Sequence, residues 1–376
     1  MRKGPQFPSY LAFSTVRATA QTFLNNRVDA RYRSRALVIA ITSLIVLPFN
    51  IVERLLFNRR IKAIQLDDQP LCILGHDRGG TTHLMTLLSK DDQFAFVRSA
   101  QFIVPDACIL FDKVLSPVLN VLKPKRPMDN MTVEGDTPQD EELPLVKYTS
   151  TCDLQKYCFP ADYQSFTKSF VKDFTPESKG YWEWKKYYLF VCRKAAYIMG
   201  RNRVLLRNHA NMARLEAFLE LFPNARFLHI KRNPYRLVPS LLNLHRKIIA
   251  KYTLQEYTEE QLMDFTFFQY KTFTEGFVRD RHLIDPKNYV EIAYEDLVEA
   301  PIETLKQVYD KLNLRPFNEI AAVIQDYLDS IRTYETNTYQ EDPVLRQRIT
   351  DELAIAFECF GYPIDDIRDH ALQPAV

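Results

Sequence analysis

None of the six cysteines (Cys72, Cys108, Cys152, Cys158, Cys192 and Cys359) stands in a C-x-x-C pair. That excludes a zinc ribbon and a disulfide-stapled scaffold, and leaves reduced, mostly buried thiols as the expectation. Glycine is scarce as well. Only nine occur in 376 residues, and three of them, Gly75, Gly79 and Gly80, fall within six positions. Repeats, low-complexity tracts and linkers are missing after residue 70. The chain is therefore expected to form one large single-core domain, residues 70–376, behind an appended segment, residues 1–69.

Charge of one sign is also lacking over the whole chain, at a net +2, yet its distribution is uneven. Through Lys62 there are eleven Lys and Arg against Asp29 and Glu53, a balance of +9, so the remainder carries −7. A basic segment of this kind suits an anionic surface. Nucleic acid is not the expected partner, because these cations flank an apolar run and do not interleave with stacking aromatics. That run, residues 36–52, is seventeen long where a membrane span needs roughly 20, and Thr42, Ser43, Pro48 and Asn50 interrupt it. It starts too late for a secretory signal, and no small-residue cleavage site follows it. The readings are a helix packed on the domain or one lying in a membrane interface, and the basic flanks favour the interface. Residues 27–62 are thus the expected peripheral membrane contact of an otherwise cytoplasmic protein, with a single span as the alternative.

Residues 70–74 (PLCIL) form a short apolar run that stops at Gly75, as a buried parallel strand does. Behind the glycines, residues 81–89 carry Leu84, Leu87 and Leu88 on one helical face. Three further strand signals, at 204–206, 226–230 and 289–292, precede helical patterns at 213–221, from Pro234, and at 301–312. Such alternation predicts an α/β fold with a central parallel sheet. Residues 94–180 alternate less cleanly and are rich in Pro, Tyr and Phe, so they read as an insertion over the sheet.

From Gly75 to Gly80 the spacing G-x-x-x-x-G is that of a phosphate loop feeding a helix N-terminus. Such a turn aims free N–H donors and the positive end of the helix dipole at one anion. Gly79 and Gly80 admit close approach because neither has a Cβ, and Thr81 and Thr82 add hydroxyls. The lysine that would reach the outer phosphates of a nucleoside triphosphate is missing, and Thr81 stands in its place. Arg78 is the nearest cation. The loop therefore reads as one for a single 5′-phosphate, with a cation beside the transferred group. A second pattern sets Arg232 at a strand end, Asn233 as a cap, Pro234 at the first helical position and Ser240 about two turns later. Arg and Ser can close on one phosphate from two sides.

Together these motifs resemble those of the sulfotransferases that use 3′-phosphoadenosine 5′-phosphosulfate (PAPS). The run Arg78-Gly-Gly-Thr-Thr82 is similar to the family's R-S-G-T-T, and Arg232 with Ser240 to its 3′-phosphate motif. Further stretches are similar to one large subfamily: RPMDN at 126–130, PQDEE at 138–142, LRNHANMARL at 206–215, YEDL at 294–297 and YETNTY at 334–339. The resemblance covers about residues 70–362 and implies a P-loop-NTPase-like three-layer fold with a central parallel sheet, behind a helical N-terminal segment. It implies PAPS as donor without a metal, PAP (the desulfated nucleotide) as product, and an acceptor on the side of the 94–180 insertion. Gly79, Gly80, Thr81, Thr82 and His83 are then expected with Arg78 around the 5′-phosphate, and Arg232 and Ser240 around the 3′-phosphate. The departures are Gly79 for Ser, Arg207 for Lys and Thr336 for Lys, none of which removes the cradle.

Sulfuryl transfer to an alcohol needs the acceptor proton removed and the charge on the departing phosphate stabilised. Arg78 is the expected electrostatic partner. At 137–142, capping explains the residues well, with Thr137 as cap, Pro138 next and Asp140 in the first turn. On the residues alone capping and catalysis are equally served, and the resemblance selects Glu142, then Glu141, as base. His83 and His76 flank the loop and rank behind them, since a histidine in a first helical turn usually packs or caps. Arg126 and Asp129 are expected to be structural or to position the acceptor. The aromatic residues of the insertion (Tyr148, Tyr157, Phe159, Tyr163 and Phe166 among them) and the apolar N-terminus point to a hydrophobic acceptor, a hydroxylated lipid, sterol or quinone-like molecule. The competing readings are a catalytically degenerate PAP-binding protein and a nucleotide kinase with an altered loop.

Overall fold

A computed structural model describes residues 9–124, 132–172, 174–331 and 342–364. Arg126, Asp129 and Thr336 lie outside these residues. The strands are β1 (Leu71–Leu74), β2 (Phe94–Ala95), β3 (Val97–Arg98), β4 (Pro138–Gln139), β5 (Arg203–Arg207), β6 (Arg226–Lys231) and β7 (Tyr289–Ala293). Five of them form one parallel sheet in the order β2-β5-β1-β6-β7, while β3 and β4 pair antiparallel beside it. The central strand β1 is buried on both faces, with Leu71 and Ile73 in one core and Cys72 and Leu74 in the other, as a strand covered on both sides requires. Five of the six cysteines are buried and none is in a disulfide.

The helices that matter here are α1 (Val16–Asn25), α2 (Arg33–Ala63), α3 (Thr81–Leu88), α4 (Ser99–Ile103), α5 (Cys108–Leu122), α6 (Glu142–Tyr148), α7 (Tyr163–Phe170), α8 (Tyr181–Met199), α9 (Leu215–Leu219), α10 (Pro234–Tyr252), α11 (Glu259–Asp280), α12 (Tyr294–Glu299) and α13 (Pro301–Lys311). Leu84 and Leu88 of α3 and Leu305 and Val308 of α13 fill one face of the sheet. Trp184 of α8, Leu241 of α10 and Phe265 of α11 fill the other, completing three layers. The strand order reverses around β1, since the chain leaves it toward β5 on one side and β6 on the other. In an open α/β sheet a crevice forms at the carboxyl ends of the strands at such a switch point. The loops after β1, β5 and β6 all meet there.

Most boundaries follow local chemistry. Asn233 accepts a hydrogen bond from the Tyr235 N–H at 2.9 Å and Pro234 takes the first position of α10, as the sequence predicts. Two expectations are corrected. The helix predicted over 213–221 is shorter, because residues 209–213 form a 3-10 turn pinned by the Asn208 side chain on the Ala210 N–H and by His209 Nδ1 on the Gly75 carbonyl. Thr137 caps no helix: its Oγ1 accepts from the Glu134 N–H at 2.7 Å, Pro138 lies in β4, and α6 opens only at Glu142. The apolar run 36–52 belongs to a longer helix, the 31 residues of α2, which continues through Pro48.

Candidate active site

Gly75 ends β1 and the chain turns through His76, Asp77, Arg78 and Gly79 to Gly80, the residue before α3. Gly80 has φ +96, and a Cβ there would lie 2.3 Å from the Tyr294 ring, so only glycine fits. Arg78 also has positive φ, at +68, although it carries a side chain, a strained conformation of the kind held at binding loops. That backbone turn sends its guanidinium across the crevice, where Nε donates to Ser240 Oγ at 3.0 Å. In return, Arg232 Nη1 donates to the Arg78 carbonyl at 2.8 Å, and its guanidinium lies 4.2 Å over the Tyr294 ring. Two motifs more than 150 residues apart in the chain thus converge on one spot.

Thr81 and Thr82 open α3, whose first-turn N–H groups point out of the helix toward the crevice. Arg207, the last residue of β5, reaches them, with Nη1 donating to Thr82 Oγ1 at 2.9 Å. Its Nε is buried and among the described residues has no hydrogen-bond partner, an unmet donor beside a helix N-terminus. A phosphate or sulfuryl oxygen would satisfy it. His76 faces away from the loop: it stacks on Tyr270 at 4.0 Å, bonds Thr274, and is driven down to about 3 by burial. His83 is half-buried on α3 and is likewise lowered, to about 4, by burial.

The three acids of 140–142 have sharply different surroundings. Glu142 is buried with Arg214, whose Nη2 lies 2.6 Å from Oε2, and both carboxylate oxygens also take donors from Asn208 and Cys152. Burial alone would raise its pKa, but Arg214 outweighs that and holds it below the ordinary value. Glu141 accepts from the Tyr188 hydroxyl and from the Arg207 N–H at 3.0 Å, one donor on each oxygen. These two side chains, expected as base, have both carboxylate oxygens hydrogen-bonded, joining α6 to α8, β5 and the turn after it. Asp140 commits only Oδ1, which accepts from the Glu142 N–H at 2.8 Å. Its Oδ2 faces His209 Nε2 at 3.9 Å, outside hydrogen-bond reach. Burial, with Glu141 close by, pushes Asp140 up to about 7.

His209 links this acid to the loop. Its Nδ1 meets the Gly75 carbonyl at 2.8 Å and its Nε2 meets Asp77 Oδ1 at 2.7 Å. Both partners can only accept, so both ring nitrogens carry hydrogen and His209 is an imidazolium. Burial opposes that charge, but Asp77 overcomes it and raises the pKa. Asp77 is correspondingly depressed, because His209 and Arg207 outweigh its burial. Asp77, His209 and Tyr294 were not singled out from the sequence, although Asp77 lies inside the glycine loop and the other two inside motif stretches. Most of the aromatic residues of 148–188 pack inward, although Trp182 is exposed and Tyr163, Phe170 and Tyr187 are half-buried. Tyr148, Tyr157, Phe159, Tyr181, Trp184 and Tyr188 are all buried core.

A glycine loop at a helix N-terminus, crossed by arginines at the switch point of a parallel sheet, defines a binding crevice for a phosphorylated or sulfated ligand. The chain belongs to the sulfotransferase family, whose pattern matches residues 70–319. It is 28% identical over 327 residues to the omega-hydroxy-beta-dihydromenaquinone-9 sulfotransferase Stf3 of Mycobacterium bovis and of Mycobacterium tuberculosis, covering 86% of this chain and 83% of each relative. Its fold is similar to that of sulfotransferase STF9 from Mycobacterium avium, with a TM-score of 0.66, 15% identity, and 94% of this chain and 98% of the other covered. Sulfotransferase STF1 from Mycobacterium tuberculosis H37Rv is similar with a TM-score of 0.54 and 13% identity, over 81% of this chain and 84% of the other.

Proposed function

We propose that this sulfotransferase moves a sulfuryl group from PAPS to a hydroxyl of a hydrophobic lipid of the hydroxylated quinone kind. One observation carries the donor assignment. Arg78, Arg232 and Ser240, read as two separate motifs, hydrogen-bond to one another across the crevice. The crevice residues fit a PAPS-like anion: a Cβ-free loop, the first turn of α3, and the unmet Arg207 Nε. The acceptor class is supported by the relative named for an omega-hydroxylated dihydromenaquinone.

When bound, PAPS supplies the sulfuryl group, and the bond that breaks joins sulfur to the bridging oxygen of its phosphate. The chain's own residues then have distinct tasks. Gly80, Thr81 and Thr82 hold the 5′-phosphate, and Arg232 with Ser240 the 3′-phosphate. Arg78 and Arg207 neutralise the charge that grows on the departing oxygen. Asp140, not Glu142 or Glu141, takes the proton from the acceptor hydroxyl, because it alone of the three keeps an oxygen uncommitted and titrates near neutrality. His209, held as a cation by Asp77, positions the loop against β5 and Asp140.

Calorimetric titration with PAP, without magnesium, tests the donor site. Wild type is expected to bind, and Arg232→Ala to lose about 10–100-fold in affinity, as removal of a charged donor does. Absence of PAP binding, with ATP binding instead, would overturn the reading in favour of a kinase. PAP binding without turnover of hydroxylated quinones, sterols or glycolipids would favour the degenerate PAP-binding protein.

A further inference from the structure

Helix α2 is amphipathic in reverse. Its buried positions Ile39, Ser43, Val46, Asn50, Glu53 and Ile61 recur every three or four residues apart from one wider gap, half of them polar. This is the stripe that faces the body. Glu53 is its anchor: it pairs with buried Lys194 of α8, and its Oε2 accepts from the N–H groups of Ile109 and Leu110 at 2.7 and 3.1 Å, at the start of α5. Arg54 adds a 2.6 Å bridge to Asp106. The helix therefore rests its partly polar side on the protein and turns its apolar side outward.

That outward side is large. Leu37, Leu44, Ile45, Leu55 and Leu56 are each 57–80% exposed. Helix α5 lies alongside, with Phe49 of α2 and Phe111 of α5 at 4.9 Å between ring centroids. It contributes Val114, Val118, Val121 and Leu122 to the exposed apolar residues. Among the described residues, 15 of the 21 exposed large hydrophobic side chains lie on these two helices. Soluble monomers rarely expose so many apolar side chains together, and such a patch marks an interaction surface. Cations flank it: Arg31, Arg33 and Arg35 at one end of α2, Arg59, Arg60 and Lys62 at the other, Lys113 on α5 and, just past its end, Lys123, which also pairs with Glu134, all exposed.

We propose that α2 and α5 form a two-helix platform that lies in the plane of an anionic lipid bilayer, apolar faces in the acyl boundary and flanking cations at the headgroups. Charge complementarity selects the bilayer, since apolar centres flanked by arginines match acyl chains below a layer of anionic headgroups. The attachment to the body selects the in-plane orientation. A spanning α2 would carry Glu53, Lys194 and the packed body into the hydrocarbon with it. This proposal does not rest on the sulfuryl-transfer reading.

The test is flotation of the full-length chain with vesicles of phosphatidylcholine containing phosphatidylglycerol, against phosphatidylcholine alone. Leu44 and Leu55 are eleven residues apart, about three turns, on one exposed face. The protein is expected to float with the anionic vesicles and to be released by alkaline carbonate. The pair L44E/L55E, and separately R59E/R60E, is expected to weaken binding at least tenfold with unchanged thermal unfolding and unchanged PAP affinity. Three results would overturn the proposal: no flotation with either vesicle, resistance to carbonate (a span), or a vesicle-independent dimer that L44E/L55E dissociates (a second copy covering the face).

Discussion

Asp140 is pulled two ways by its position. Its buried carboxyl prefers to be neutral, yet the assigned role needs it ionised. Replacing it with Asn keeps the acceptor for the Glu142 N–H and removes the proton carrier. D140N is expected to lower kcat about 10²–10⁴-fold, the usual worth of a general base, with PAP affinity unchanged by calorimetry. Glu142→Gln has a different signature. Its partner Arg214 would be left buried without its ion pair, so thermal stability is expected to fall before any kinetic effect is resolved. At Gly80 the constraint is steric: G80A places a methyl against Tyr294 at positive φ, and PAP binding is expected to be lost while the sheet survives by circular dichroism.

At the scale of elements, one carboxylate ties three helices. Glu53 of α2 pairs with Lys194 of α8 and caps the start of α5, and none of these groups reaches water. Breaking such a buried pair from one side typically costs about 3–5 kcal/mol, because the other charge stays behind unpaired. K194A is therefore expected to lower the unfolding midpoint by several degrees, and K194M with E53L, which removes both charges, to recover most of the loss. Equal destabilisation by the single and double variants would show that packing, not the pair, holds α2.

Over the whole molecule, titration sets activity and stability against each other. Glu142 and Asp77 have depressed folded pKa values, so their stabilisation is present above the ordinary carboxylate value and is lost as the pH falls through the depressed ones. Asp140 and His209 have raised values. His209 stabilises most below its ordinary pKa and less as the pH rises through the folded one, and Asp140 costs stability increasingly as the pH rises from the ordinary carboxylate value to about 7, levelling off above that. Thermal stability is thus expected to peak below neutrality, while kcat/KM rises through about pH 7. D140N should raise the unfolding midpoint at pH 8, leave it unchanged near pH 4, and abolish the rise in kcat/KM. A midpoint independent of this substitution at pH 8 would remove Asp140 as the titrating group.

The sequence by itself determined the parts governed by local rules. Periodicity and turn chemistry mark β1, the glycine loop, α3 and the Asn233–Pro234 start of α10, because each is dictated by residues a few positions apart. The missing lysine at Thr81 argues against a triphosphate loop in the same way. Only the tertiary structure decided which acid is available. Asp140, Glu141 and Glu142 are adjacent in the chain and chemically alike, and what separates them is Tyr188, Arg207, Asn208 and Arg214, all contributed from more than 40 residues away. The same holds for α2. Its apolar run is plain in the sequence, but which face it turns to the body depends on Lys194 and the start of α5, which meet Glu53 from distant parts of the chain.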